Sequence, residues 1–140
     1  MKALIDTNVI VDALASRKPW KESAEKIFLM AANQVMAAYI TASSATDIYY
    51  LVRKYLHSTE QAKQVMGKLY SFMGILMVTG DECVDALASA VSDYEDAVIE
   101  RTAAKAEMDC IITRNVKDYQ DGIVKALLPD DFIAFMENGK

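Results

Sequence analysis

A chain of 140 residues, 53% apolar and 25% charged, is long enough for one domain with a real core, which argues against disorder. A net charge of −5 speaks against a generic nucleic-acid binder, although carboxylates that gather to hold a cation would also read as negative. Cys83 and Cys110 lack C-x-x-C spacing and read as reduced core residues, while a single histidine, His57, argues against His-rich metal chemistry and a Ser/His/Asp triad.

In chain order, Ala3, Leu4 and Ile5 form a short apolar run that Asp6 stops, which suits a parallel strand buried on both faces. After Thr7 and Asn8, apolar residues resume at Val9, Ile10, Ala13 and Leu14 with helical spacing. Asp6 therefore ends a strand, on the edge where open α/β sheets bind ligands. An Asp there also commonly caps the following helix, and both readings stay open. Pro19 is placed to start a helix over 20–32, and residues 34–38 make a second strand. A polar break at 41–44 precedes a helix over 45–56. Ser58 to Gln61 is a capping box for the next helix, with Gly74 just past its end. A strand follows over 75–78. Thr79 to Glu82 opens a helix through 90, and Ser92 to Glu95 opens another to about 106. Residues 110–113 form a compact buried strand, 114–119 a polar loop, 122–128 an edge strand halted by Pro129, and 130–136 a short helix.

Strands and helices alternate, which calls for an α/β fold: three α/β/α layers around a central parallel sheet of four to five strands, with residues 1–140 as a single domain. Right-handed crossovers then gather the strand carboxyl ends along one edge. No basic-then-apolar leader and no apolar stretch of ~20 residues is present, so a cytoplasmic protein with no membrane span is expected.

That edge collects acids. Asp47 lies near the start of a helix after a strand, Asp93 and Asp96 share the first turn of another, and Asp118 follows the last buried strand. Each alone is explained by complementing a helix dipole, and Asp93 and Glu95 by capping. Together with Asp6 they would repel one another unless a cation binds. Hard oxygen ligands select Mg²⁺ or Mn²⁺, which suit phosphoryl chemistry.

Ile5-Asp6-Thr7-Asn8-Val9, Asp93-Tyr94-Glu95-Asp96-Ala97, and Ile112-Thr113-Arg114-Asn115 with Lys117-Asp118-Tyr119 resemble the PIN-domain ribonucleases, nearest the VapC-like toxins of toxin–antitoxin pairs. The resemblance covers essentially the whole chain in length and motif order. It implies a parallel sheet with helices on both sides and an acidic metal pocket that cuts RNA. It matches Asp6 and Asp96 to metal-binding acids, and places Asp47 where the family usually has Glu. Thr113 matches a hydroxyl residue near the pocket, and Asn8 a polar orienting residue. Asn115 departs from an Asp found in many members, with Asp93 or Asp118 able to compensate. The implied partners are an RNA substrate, an antitoxin whose basic side chain occludes the pocket, and a second copy of the chain in a homodimer.

Two other readings stand beside this one. A receiver or phosphatase-type α/β domain lacks support, because Thr7 follows Asp6 where a receiver needs an Asp pair, and Asn8 replaces a phosphatase's second Asp. A degenerate PIN fold that binds RNA or a partner without cutting is kept open by Asp47 and Asn115. Among the basic residues, Arg114 and Lys117 are expected to adjoin the pocket and contact phosphates. Tyr49, Tyr50 and Tyr55 read as core or dimer contacts, and the eight Met residues as adaptable packing.

Overall fold

The apolar run at the start of the chain builds the middle of a sheet. Strand β1 (Lys2–Ile5) pairs in parallel with β2 (Ala37–Thr41) on one side and β4 (Cys110–Ile112) on the other, and β3 (Gly74–Leu76) and β5 (Ala126–Leu127) extend the edges. The order is β3-β2-β1-β4-β5, all parallel, in a computed structural model that describes residues 1–139. The helices are α1 (Thr7–Leu14), α2 (Lys21–Ala32), α3 (Ala42–Leu56), α4 (Thr59–Phe72), α5 (Gly80–Asp85), α6 (Tyr94–Lys105) and α7 (Pro129–Asn138). Two 3-10 turns, Ala86–Ala88 and Val116–Tyr119, complete the chain order.

Side-chain alternation along the central strands makes the three layers. Ala3 and Ile5 of β1 and Cys110 and Ile112 of β4 point into one core with α1, α2, α3, α4 and α7. Leu4 and Ile111, one residue out of phase, point into the other core with Ile99 and Ala103 of α6. Leu4, Ile5, Ile99, Ile111 and Ile112 are fully buried, and each contributes about 1.5–3 kcal/mol by leaving water. The fold class matches the expected α/β/α architecture. Among the described residues, no helix is long and apolar enough to cross a membrane.

The strand order fixes the functional edge. From β1 the chain moves outward to β2 and β3, then returns through α5 and α6 to the other flank of β1. The direction reverses between β1 and β4, and neighbouring connections leave on opposite faces there, opening a crevice at the strand carboxyl ends. Asp6 directly follows β1 and lines that crevice, and Thr113 directly follows β4 and lies buried behind it.

Several boundaries differ from the sequence expectation. The second strand lies at Ala37–Thr41 instead of 34–38, and Thr41 ends it while capping α3 through Ser44 N–H at 3.2 Å. The polar stretch 41–44 is thus a cap and first turn instead of a break. The helix opened by the reciprocal Thr79–Glu82 box stops at Asp85 and tightens into the first 3-10 turn, short of residue 90. Asp93, not Ser92, caps α6. The edge strand expected over 122–128 shrinks to Ala126–Leu127, because Gly122 and Ile123 are drawn toward α6. Cys83 and Cys110 are free thiols, but only Cys110 lies in the core as expected, where burial pushes its thiol up to about 11, while Cys83 is half-buried.

Candidate active site

A cleft of about 610 Å³ opens at the switch point, lined by Asp6, Thr7, Asn8, Asp47, Tyr50, Leu51, Asp93, Glu95, Asp96, Asn115 and Asp118. Six of these are carboxylates, contributed by β1, α3, α6 and the turn after β4. No Lys, Arg or His lines it.

Asp6 is both a cap and a member of the cleft. Its Oδ1 accepts from Thr7 N–H at 2.8 Å, closing the N-terminus of α1, and its Oδ2 accepts from the Thr113 hydroxyl at 2.8 Å. Thr113 in turn accepts from Asn115 N–H at 3.0 Å, so its hydroxyl hydrogen is committed to Asp6. Only 6% of Asp6 is exposed. Burial raises its pKa and outweighs the two threonine hydrogen bonds that lower it.

Asp96 occupies the first turn of α6, where its N–H donates to Asp93 Oδ1 at 3.0 Å. Burial first, then the charges of Asp6 and Asp93, push its carboxyl up to about 6. The Tyr119 hydroxyl donates to Asp96 Oδ1 at 3.2 Å and opposes that shift. Tyr119 is itself buried, and burial together with Asp6 and Asp96 holds its phenol far above its usual range, so it acts as a donor. Glu95 is also raised, by burial and then by Asp47 beside it.

The sequence-predicted residues divide cleanly by position. Asp6, Asn8, Asp47, Asp93, Asp96, Asn115 and Asp118 all face the cleft, and Thr113 braces Asp6 from behind. Arg114 and Lys117, expected to adjoin the pocket, do not line it. The Arg114 guanidinium turns back over α1, with Nε 2.7 Å from Asp12 Oδ2 and Nη2 3.3 Å from Asp12 Oδ1, and lies 3.8 Å from the centroid of the Trp20 ring. Asp12 is fully buried and needs this bidentate partner. A carboxylate inside the apolar run Val9-Ile10-Val11-Asp12-Ala13-Leu14 was the signal that a cation had to come to it. Lys117 faces a different cavity, beside Lys125.

Glu95 and Tyr119 belong to the site although they were read as a cap and as part of a motif. Tyr50 also lines the cleft and is two-thirds exposed, instead of packing in the core.

The donor set fits a hard divalent cation: several carboxylates, two amides, and, among the described residues lining the cleft, no soft ligand and no basic side chain. Among the described residues, no three acidic, His or Cys side chains stand together as a finished metal cage. Asp96, raised by burial and then by the charge of Asp6, and Asp6, raised by burial and in part by Asp118, are the carboxylates that a cation would relieve most directly.

A family model described as PIN domain matches residues 2–117. No curated protein matches the chain significantly. Among solved structures, the chain is similar to a toxin–antitoxin complex from Klebsiella pneumoniae, with a TM-score of 0.68 and 23% identity over 91% of this chain and 97% of that one. It is also similar to a VapBC complex of Rickettsia felis bound to a promoter DNA fragment, with a TM-score of 0.65 and 18% identity over 91% and 98%. A third is a Mycobacterium tuberculosis VapC described as a sarcin–ricin loop cleaving toxin, with a TM-score of 0.67 and 12% identity over 88% and 97%. At these identities the likeness is one of fold.

Proposed function

Since the chain belongs to the PIN-domain family, we propose that it is a divalent-metal-dependent endoribonuclease, with residues 1–140 acting as one nuclease domain, and that it is the toxin of a toxin–antitoxin pair. The observation that carries the reading is the cleft: six carboxylates at the switch point, with no basic side chain among the described residues that line it. The toxin role leans on the likeness to the Klebsiella and Rickettsia complexes, and the RNA substrate on the M. tuberculosis toxin. A homodimer and an antitoxin that covers the cleft with a basic side chain complete the proposal, because an Arg fork pairs bidentately with carboxylates.

In this reading Asp6, Asp96 and Asp47 would hold Mg²⁺ or Mn²⁺, with Asp93 and Asp118 extending the acidic wall and Asn115 adding an amide. When bound, the cation would supply Lewis acidity, offsetting charge on phosphate oxygens and lowering the pKa of a bound water. Thr113 and the Thr7 N–H lock both oxygens of Asp6 in orientation. Asn8, on the first turn of α1, presents an amide to the substrate side of the cleft. The rest of the binding energy for RNA comes from outside the acidic wall, since that wall repels phosphate until it is neutralised.

A second reading, an RNA- or partner-binding module that does not cut, draws on Asn115 and on the lack of a finished three-carboxylate cage. One assay separates the two. Purified chain with Mn²⁺ should cleave single-stranded or structured RNA, leaving 5′-phosphate ends, and Asp6→Asn should lose at least roughly 100-fold in rate, the scale of one removed electrostatic contact in a transition state. Cleavage that persists in EDTA, or cyclic-phosphate ends, would overturn the metal mechanism. RNA binding without cleavage by the wild type would establish the second reading.

A further inference from the structure

We propose that Tyr119 is a positioning residue that fixes the Asp96 carboxylate for cation binding, its buried hydroxyl donating to Oδ1 so that the other oxygen is presented in one orientation. This rests on the metal-dependent reading of the cleft and names a residue which that reading leaves unused.

The geometry behind it is specific. Tyr119 closes the 3-10 turn Val116–Tyr119 and is 1% exposed, its ring set among Leu4, Ile99 and Ile111. A phenylalanine would satisfy that apolar setting fully. A phenol there loses hydration of its hydroxyl and is tolerated only with a partner; that partner is Asp96 Oδ1 at 3.2 Å, and the hydroxyl also steadies the charge of the neighbouring Asp6. Asp96 Oδ2 accepts no hydrogen bond among the described residues, so Tyr119 is the only side chain that orients this carboxylate.

The tyrosine is itself held from the same helix. Glu100 lies one turn beyond Asp96 on the same face of α6 and is fully buried. Its Oε2 accepts from Ile123 N–H at 2.7 Å, while Gly122 N–H donates to Tyr119 O at 2.9 Å. A Cβ at Gly122 would come within 3.0 Å of Glu100 Cγ and 3.2 Å of Tyr119 O, so the segment after Tyr119 lies flat on Glu100. Two acids one turn apart thus take different parts. Glu100 anchors the segment, and Asp96 receives the hydroxyl which that segment delivers. Outer groups that hydrogen-bond a metal ligand fix its orientation, and their loss typically lowers metal affinity about 10–100-fold.

The test is calorimetric titration of Mn²⁺ into wild type, Tyr119→Phe and Asp6→Asn, with thermal melts of each. Tyr119→Phe keeps the ring and should fold with an unchanged circular-dichroism spectrum. It should bind Mn²⁺ about 10-fold or more weakly. In RNA cleavage it should need correspondingly more Mn²⁺ to reach half-maximal rate, with most of the rate recovered at saturation. A merely structural role would lower the melting temperature and leave that split absent. Equal Mn²⁺ affinity for Tyr119→Phe and a wild type that binds well overturns the positioning role while leaving the metal reading intact. A wild type that binds Mn²⁺ no better than Asp6→Asn overturns the metal reading and the inference together.

Discussion

The acids of the cleft and the acid at the joint of α5 and α6 are the same chemical group in opposite circumstances. Glu82 is buried, and its oxygens meet Lys105 Nζ at 2.8 Å and the Thr79 N–H and hydroxyl at 2.6 Å each. Lys105 foremost, then Thr79, hold its carboxyl down at about 2. In the cleft, Asp6 and Asp96 meet only hydroxyl and amide donors, and burial carries both upward, Asp96 to about 6. Asp12 stands between the two cases: it has Arg114 as a bidentate partner, yet burial still outweighs that pair and leaves it raised. The difference is between a place where this fold completes its ion pair and one where its described residues leave the carboxylates without a basic partner.

The largest effect expected from breaking that contrast is at Asp12. Arg114→Ala strands a fully buried carboxylate and should cost about 3–5 kcal/mol in urea unfolding. Asp6→Asn keeps an acceptor for the α1 cap but gives up the one for the Thr113 hydroxyl while removing a desolvated charge, so the metal-free protein should change by no more than about 1 kcal/mol. A loss at Asp6→Asn equal to that at Arg114→Ala would show that the cleft acids are structural after all.

Next in size is the response to a cation. At 100 times its Kd, Mn²⁺ should stabilise the wild type by about 2.7 kcal/mol. For a chain of this length that is a rise of roughly 5–10 °C in melting temperature. Asp6→Asn should show little of it, measured by thermal melts with and without Mn²⁺.

The smallest effect is on pH dependence, where the two regions should pull in opposite directions. A carboxyl raised by folding binds its proton more tightly folded than unfolded. Asp96 therefore removes stability from the metal-free protein as pH rises from its usual 3.8 through about 6. Glu82 is depressed, so its contribution is present above its usual 4.5 and is lost as pH falls toward about 2. Urea midpoints between pH 3 and 7 should show both limbs. Glu82→Gln should flatten the acid limb, and Asp96→Asn should reduce the decline between pH 4 and 6. Unchanged limbs in both variants would dissolve the comparison.

Much was legible in the chain order alone. An apolar run closed by Asp6, helical spacing after it, and capping signals at Ser58 and Thr79 are local patterns, carried by residues within four of each other. They decided the α/β class, the alternation of strand and helix, and the collection of Asp6, Asp47, Asp93, Asp96 and Asp118 on one edge, since parallel crossovers bring every strand end to the same side. What only the tertiary structure decided depends on pairs far apart in sequence. Thr113 braces Asp6 across 107 residues, Arg114 leaves the cleft for Asp12 across 102, and Tyr119 and Ile123 each reach α6 across 23. The short final strand has the same cause: an amide that an extended strand would have placed elsewhere is captured by Glu100. A side chain's direction is set by which partner relieves the larger desolvation cost, and that competition exists only once distant segments are packed together.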